Sequence, residues 1–185
     1  MGKKVLICMF IIAFIVIGFY LLNLEPKDDI KEIQKAVMAL EQYYDIKVAH
    51  IEIIKRNKAI AFYEWGHGED LSFGNVILEK NFLGWEVVRG GSLHLLEDSK
   101  LNWGHLELGD YLTNYTDLLR GKITDPEIEK VHIITKDGKE YQARVVEYHN
   151  DDRFWFVIAN GELLDATVTG LSFEGDVIEK TQTSY

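Results

Sequence analysis

Between positions 64 and 70 the chain runs Glu64-Trp65-Gly66-His67-Gly68-Glu69-Asp70, three carboxylates and an imidazole around two glycines. A general acid and base, or two or three ligands to a divalent cation, can be assembled from such groups. The His-x-Glu spacing matches no zincin or other metal motif, and a metal would need ligands from elsewhere in the fold. A solvated acidic hairpin loop accounts for the same residues, and acidic loops are ordinary in a chain this negative. The cluster Glu64, His67, Glu69 and Asp70 is therefore the candidate catalytic set, with no metal and no cofactor expected.

The remaining chemistry-bearing residues are scattered. His94 and His105 flank Trp103, while His50, His132 and His149 fall in or beside β-type runs, where a lone histidine is usually a surface or hydrogen-bonded residue. No Gly-x-Ser-x-Gly elbow occurs, and Ser72, Ser92, Ser99, Ser172 and Ser184 lie in no hydrolase pattern. Asp125 and Asp151-Asp152 lack the alternating ligands and glycine of a calcium loop and read as turn formers. Four tryptophans follow the N-terminal segment. Trp155 sits among apolar neighbours and reads as core, Trp85 is open, and Trp65 and Trp103 are the candidate binding surfaces that could stack on a sugar ring or anchor a protein contact.

These residues have to be positioned by an alternating pattern of short runs. Ile30, Ile33, Val37, Leu40 and Tyr44 recur at helical spacing and predict a helix from about Ile30 to Tyr44, opened by Asp29 with Glu32 as a capping box. Four β-type runs follow, Lys47 to Ile54, Ala59 to Trp65, Leu71 to Glu79 and Trp85 to Arg89, with separators too short for anything but antiparallel pairing. A helix covering one face of such a meander gives a cystatin-like or nuclear-transport-factor-like arrangement. A connector with a short helix from Asp110 to Leu119 comes next. Residues 125–185 then predict five antiparallel strands, marked by Asp137-Gly138 as a tight hairpin that leads into a strand from Tyr141 to Tyr148 and by the apolar run Phe154 to Ile158 as a central strand. The expectation is an α+β chain divided into an anchor (1–24), a helix plus meander (25–92), a connector (93–124) and a C-terminal β unit (125–185).

The location is read from the N-terminus. Lys3 and Lys4 precede twenty uncharged residues, Val5 to Leu24. Twenty helical residues span about 30 Å, the thickness of a bilayer's hydrocarbon core. Lysines before the run and Glu25, Asp28 and Asp29 after it place the N-terminus in the cytoplasm and the rest outside. A cleaved signal peptide is the competing reading, but Phe19-Tyr20-Leu21-Leu22 continues the apolar run past the only passable cleavage triplet, Val16-Ile17-Gly18. Cys8 follows Ile7 near the start of the run and does not fit a lipoprotein pattern, and Leu6 stands where a myristoylation signal has Ser or Thr.

All thirty acidic residues but only eighteen of the twenty basic ones follow Leu24, so the outer portion carries a formal charge of −12. Such a surface repels phosphate backbones, and nucleic acid is excluded as a partner. The single cysteine lies in the anchor, so the outer portion closes no internal disulfide, which leans toward a bacterial envelope.

The stretches Gly74 to Trp85, Asp125 to Val131 and Arg153-Phe154-Trp155-Phe156 resemble small uncharacterised membrane-attached proteins of Gram-positive bacteria. The resemblance implies a compartment and no chemistry, and no functional residue carries over from it. The sequence as a whole leads to a non-catalytic, membrane-tethered, extracytoplasmic module that binds an envelope protein or polymer. The alternatives are an envelope hydrolase built on Glu64, His67, Glu69 and Asp70, and a regulatory or inhibitory accessory of another membrane protein.

Overall fold

The computed structural model describes residues 28–40, 45–66, 68–96 and 98–184, with the backbone alone at positions 69 and 94. The expected anchor, Val5 to Leu24, and His67 lie outside these residues. No helix among the described residues is long and apolar enough to cross a membrane.

Helix α1 spans Asp29–Met38, one residue earlier than its periodicity predicts at the start and several residues shorter at the end. Its cap is Asp28, whose Oδ1 accepts from the Lys31 N–H, and not the expected Asp29. Ile33 and Val37, one turn apart, are fully buried.

Twelve strands follow among the described residues. Sheet 1 is β1 (Lys47–Lys55), β2 (Lys58–Trp65), β3 (Ser72–Asn81) and β4 (Gly84–His94), antiparallel and in sequence order. Sheet 2 has the order β5 (Gly104–Glu107), β6 (Asp117–Ile123), β10 (Arg153–Ala159), β9 (Arg144–Glu147). Sheet 3 has the order β12 (Val177–Gln182), β11 (Thr167–Leu171), β7 (Lys130–Ile134), β8 (Glu140–Gln142).

Alternation along the strands sorts the apolar residues into three cores. Ala59, Ala61, Tyr63, Val76 and Leu78 of sheet 1 pack with Ile33 and Val37 of α1. Ile60, Phe62, Phe73 and Ile77 on the opposite face of sheet 1 meet Leu118, Phe154 and Phe156 of sheet 2. Leu119, Trp155 and Val157, on the other face of sheet 2, meet Val131, Ile133 and Val168 of sheet 3. The layers thus run helix, sheet, sheet, sheet, with sheet 2 covered on both faces. The aromatic centre lies between sheets 1 and 2, where the Phe62 ring is 4.7 Å from Phe156 and 5.0 Å from Phe154. These centroid separations fall in the favourable range for aromatic pairs.

This architecture corrects the expected α+β class: the described chain is mostly β, with one short helix. It also corrects the cystatin-like or nuclear-transport-factor-like arrangement, because both faces of sheet 1 are covered, one by α1 and the other by a second sheet. The helix expected from Asp110 to Leu119 is replaced by turns, closed by Tyr111 and Leu112 N–H groups on the Leu108 carbonyl, and by the start of β6. Adjacent apolar residues Leu118 and Leu119 fit a helix face, but here they point to opposite sides of a doubly buried strand.

The five-stranded C-terminal sheet is also absent. The run expected as one strand from Tyr141 to Tyr148 divides at Ala143, whose N–H bonds the Val131 carbonyl at 2.9 Å. Residues before it pair in sheet 3, residues after it pair with β10 in sheet 2, and the chain changes layer between them.

Candidate functional site

The residues singled out in the sequence do not share one environment. Glu64 lies near the end of β2 and is only 4% exposed. Asp70 ends an exposed 3-10 turn, Gly68–Asp70. Gly66, at φ +89°, lets that loop close tightly, since a Cβ there would stand 2.3 Å from the Asp70 carbonyl oxygen. Trp65 is half-buried, stacked on Tyr63 at 5.2 Å and lying across Gly74. Trp103 is half-buried against the core between sheets 2 and 3. Neither tryptophan is a freely exposed stacking platform.

Glu64 belongs to a buried polar group between sheets 1 and 2. Strand alternation turns Leu118, Arg120 and Lys122 of β6 toward sheet 1. Lys122 Nζ donates to Glu64 Oε2 at 3.4 Å, to Asp152 Oδ1 at 3.1 Å and to the Tyr148 hydroxyl oxygen. The Tyr148 hydroxyl donates in turn to Glu64 Oε2 at 2.7 Å. The Lys122 and Glu64 side chains are 4% and 6% exposed. Burial, and then the Glu64 carboxylate, push the Tyr148 hydroxyl far above the ordinary phenol range. All three ammonium protons are used, so the group ties the sheets together. A cleft of about 770 Å³ lies alongside, bounded by Lys122, Thr124, Glu129, Glu147, Asp152 and Arg153.

A second cleft, of about 720 Å³, opens at the turn between β5 and β6. His105 of β5 and Asp117 of β6 lie on neighbouring strands, because Glu107 pairs with Asp117 and His105 with Leu119. Nε2 of His105 is hydrogen-bonded to Asp117 Oδ1, and the Thr116 hydroxyl donates to Asp117 Oδ2 at 2.8 Å. The His105 and Asp117 side chains are 4% and 10% exposed. Around this pair stand Glu107, Asp110 and Glu162, all exposed, with Tyr111 and Arg89. Four carboxylates thus line the space against one guanidinium.

An aspartate that orients an imidazole supplies two of the three members of a nucleophilic triad. The Thr116 hydroxyl, which bonds the same aspartate, is engaged in structure: its oxygen accepts the Gly161 N–H at 2.8 Å while its proton serves Asp117. The arrangement suits binding a cationic group better than attacking a carbonyl. Among the described residues, no group of three or more His, Cys, Asp and Glu is disposed to hold a metal ion.

The sequence reading missed this pair. His105 registers only as a neighbour of Trp103, and Asp117 falls inside an expected helix. The signal that could have joined them is the run Asp117 to Ile123 read as a strand, which lies antiparallel to Gly104–Glu107 across a nine-residue turn. No protein family, curated protein or solved structure matches this chain.

Proposed function

We propose that this chain is a membrane-tethered, non-catalytic binding module displayed outside a bacterial cell, and that it holds a cationic segment of an envelope protein or polymer in the cleft between Arg89 and Glu162. The observation that carries the reading is the composition of that cleft: three exposed carboxylates, Glu107, Asp110 and Glu162, around a buried Asp117–His105 pair. An ammonium-bearing ligand there exchanges water for carboxylate contacts at the rim without displacing any internal bond. The tether is supported by Val5 to Leu24 and the lysines before it.

The test uses full-length protein in detergent, titrated with pentalysine as a cationic probe. Binding should weaken as salt rises, because rim charges are screened. Replacing Glu107, Asp110 and Glu162 together by Gln, Asn and Gln should weaken it about tenfold, taking up to about 1 kcal/mol per exposed pair. Equal affinity in the triple variant would remove the cleft from the reading.

A further inference from the structure

The largest apolar exposure in the described chain is at one hairpin tip. Phe82 is 93% and Leu83 is 74% exposed, at the turn between β3 and β4. Turns of this kind favour Asn, Asp and Gly, and here those types only frame the apolar pair, as Asn81 before it and Gly84 after it. The Asn81 Oδ1 accepts the Leu83 N–H at 2.8 Å, and Gly84 takes φ +134°. The turn is therefore fixed by its own backbone, with both apolar side chains held away from the protein.

The position of this tip relative to the tether is set by Asp29, the first residue of α1. Asp29 Oδ1 accepts hydrogen bonds from Lys80 Nζ and from Trp85 Nε1, the latter at 3.0 Å. Lys80 and Trp85 are paired across β3 and β4, two residues below the tip on the Lys80 side, about 7 Å at the rise of a strand. Leu24, the end of the apolar run, precedes Asp29 by five residues, which reach at most about 18 Å. The tip is thus tied to the start of α1, five residues of chain from where the tether ends.

The surroundings of the tip carry charges of both signs, with Asp29, Glu32, Glu79 and Glu86 beside the cations. The turn between β1 and β2 lies beside it, joined by the Lys80 N–H on the Asn57 carbonyl at 2.9 Å. That turn brings Lys55, Arg56 and Lys58, and β3 adds Lys80. Lys58 and Lys80 are paired with Glu79 and Asp29, Lys55 donates to the Thr113 hydroxyl at 2.7 Å, and the charge of Arg56 acts on Asp29. An apolar finger with long cationic side chains beside it suits the headgroup boundary, the apolar groups entering it while lysine and arginine stems reach the phosphates.

From these observations we infer that Phe82 and Leu83 insert into the outer leaflet of the membrane that carries the tether, making a second attachment that fixes the orientation of the domain. The inference rests on the reading of Val5 to Leu24 as a membrane anchor. A second attachment close to the first acts at high effective concentration, so even weak insertion is well populated.

The test places single cysteines in full-length protein on a Cys8→Ser background, one at Leu83→Cys and one at Phe173→Cys. Phe173 is also exposed, at 78%, but belongs to the turn after β11, in the sheet farthest from α1. Each is labelled with an environment-sensitive fluorophore and reconstituted in vesicles of phosphatidylcholine and phosphatidylglycerol. Quenching by doxyl-labelled lipid should be several-fold stronger at position 83 than at position 173, and aqueous iodide should show the reverse order. A companion variant, Phe82→Ser with Leu83→Cys, should lose most of the lipid quenching.

If the chain floats with vesicles through alkaline carbonate but position 83 is quenched no more than position 173, insertion is overturned and the anchor stands. If the chain is extracted by carbonate, the anchor reading fails and the inference falls with it. A label at position 83 shielded from iodide but not quenched by doxyl lipid would mean a protein contact, a second copy included, and would also overturn it.

Discussion

The Tyr148 hydroxyl donates a hydrogen bond of 2.7 Å to Glu64, joining β2 of sheet 1 to the chain just beyond β9 of sheet 2. The carboxylate also faces the ammonium of Lys122, and these two side chains are all but sealed from water. Removing one member of a buried pair leaves the other charge uncompensated, at a cost of about 3–5 kcal/mol. Lys122→Met should therefore lower the unfolding free energy by that order in urea titrations. The double variant Lys122→Met/Glu64→Leu should recover much of the loss, because no charge is then left buried, and a double variant less stable than Lys122→Met would contradict the assignment.

The same tyrosine gives stability an alkaline limit. Its folded-state pKa is raised far above the ordinary 10.0 by burial and by Glu64, so the native state holds the phenol proton more tightly than the unfolded chain does. A raised pKa contributes stability that is fully present below the unfolded value and is lost as the pH climbs beyond it. Above about pH 10 the unfolded chain releases this proton and the native state does not. Wild-type protein should thus lose stability more steeply between about pH 9.5 and pH 11.5 than Tyr148→Phe, measured by thermal unfolding at each pH. Parallel curves would show that Tyr148 does not control the limit.

How much of this was legible follows the range of each interaction. The turns around Asn57, Phe82 and Gly138 are local, and their strands are found where short polar or glycine-bearing separators mark them. Sheet membership is not local. Val145 and Val146 look continuous with Tyr141, yet they pair with β10 in sheet 2 while Tyr141 pairs with Ile133 in sheet 3, and nothing in a short window shows that the chain changes sheets at Ala143. Asp117 to Leu119, the start of β6, fall in an expected helix for a related reason, since a strand buried on both faces shows no alternation to set against a helical period. Glu64 was noticed for its neighbours in sequence, whereas its partners, Lys122 and Tyr148, lie 58 and 84 positions away. The His105–Asp117 pair was hidden by the same misread strand.

At the other end of sheet 1, Asp29 gives an acid limit. Hydrogen bonds from Lys80 first, and then from Trp85, hold its carboxyl below the ordinary 3.8. A depressed pKa contributes stability present above the unfolded value and lost as the pH falls through the folded one, so the loss begins below about pH 4. The Asp29 side chain is 39% exposed, and solvent screening keeps the effect small. Asp29→Asn should flatten the acid limb of the stability curve relative to wild type, and the difference should shrink in high salt. Trp85 fluorescence reports the same site directly, and an acid limb unchanged by the substitution would exclude Asp29 as its source.

Gly121, in the middle of β6, offers the sharpest steric test. A Cβ there would stand 1.7 Å from the Asn102 carbonyl oxygen, 2.5 Å from its carbon and 2.9 Å from the Trp155 indole nitrogen. The first two are backbone atoms, and the Asn102 carbonyl is itself held by the Trp155 N–H at 3.1 Å. Nothing in that contact can rotate away, so Gly121→Ala has to separate Leu101 and Asn102 from sheet 2. Gly170 is the control: its added Cβ would meet only the Ile128 side chain, at 2.8 Å, which can change rotamer. Gly121→Ala should therefore cost about 3 kcal/mol or more and Gly170→Ala distinctly less, within the range for overpacked cores. Urea unfolding of the two variants decides the order, and equal losses would mean that the Leu101-Asn102 segment yields more readily than its hydrogen bonds imply.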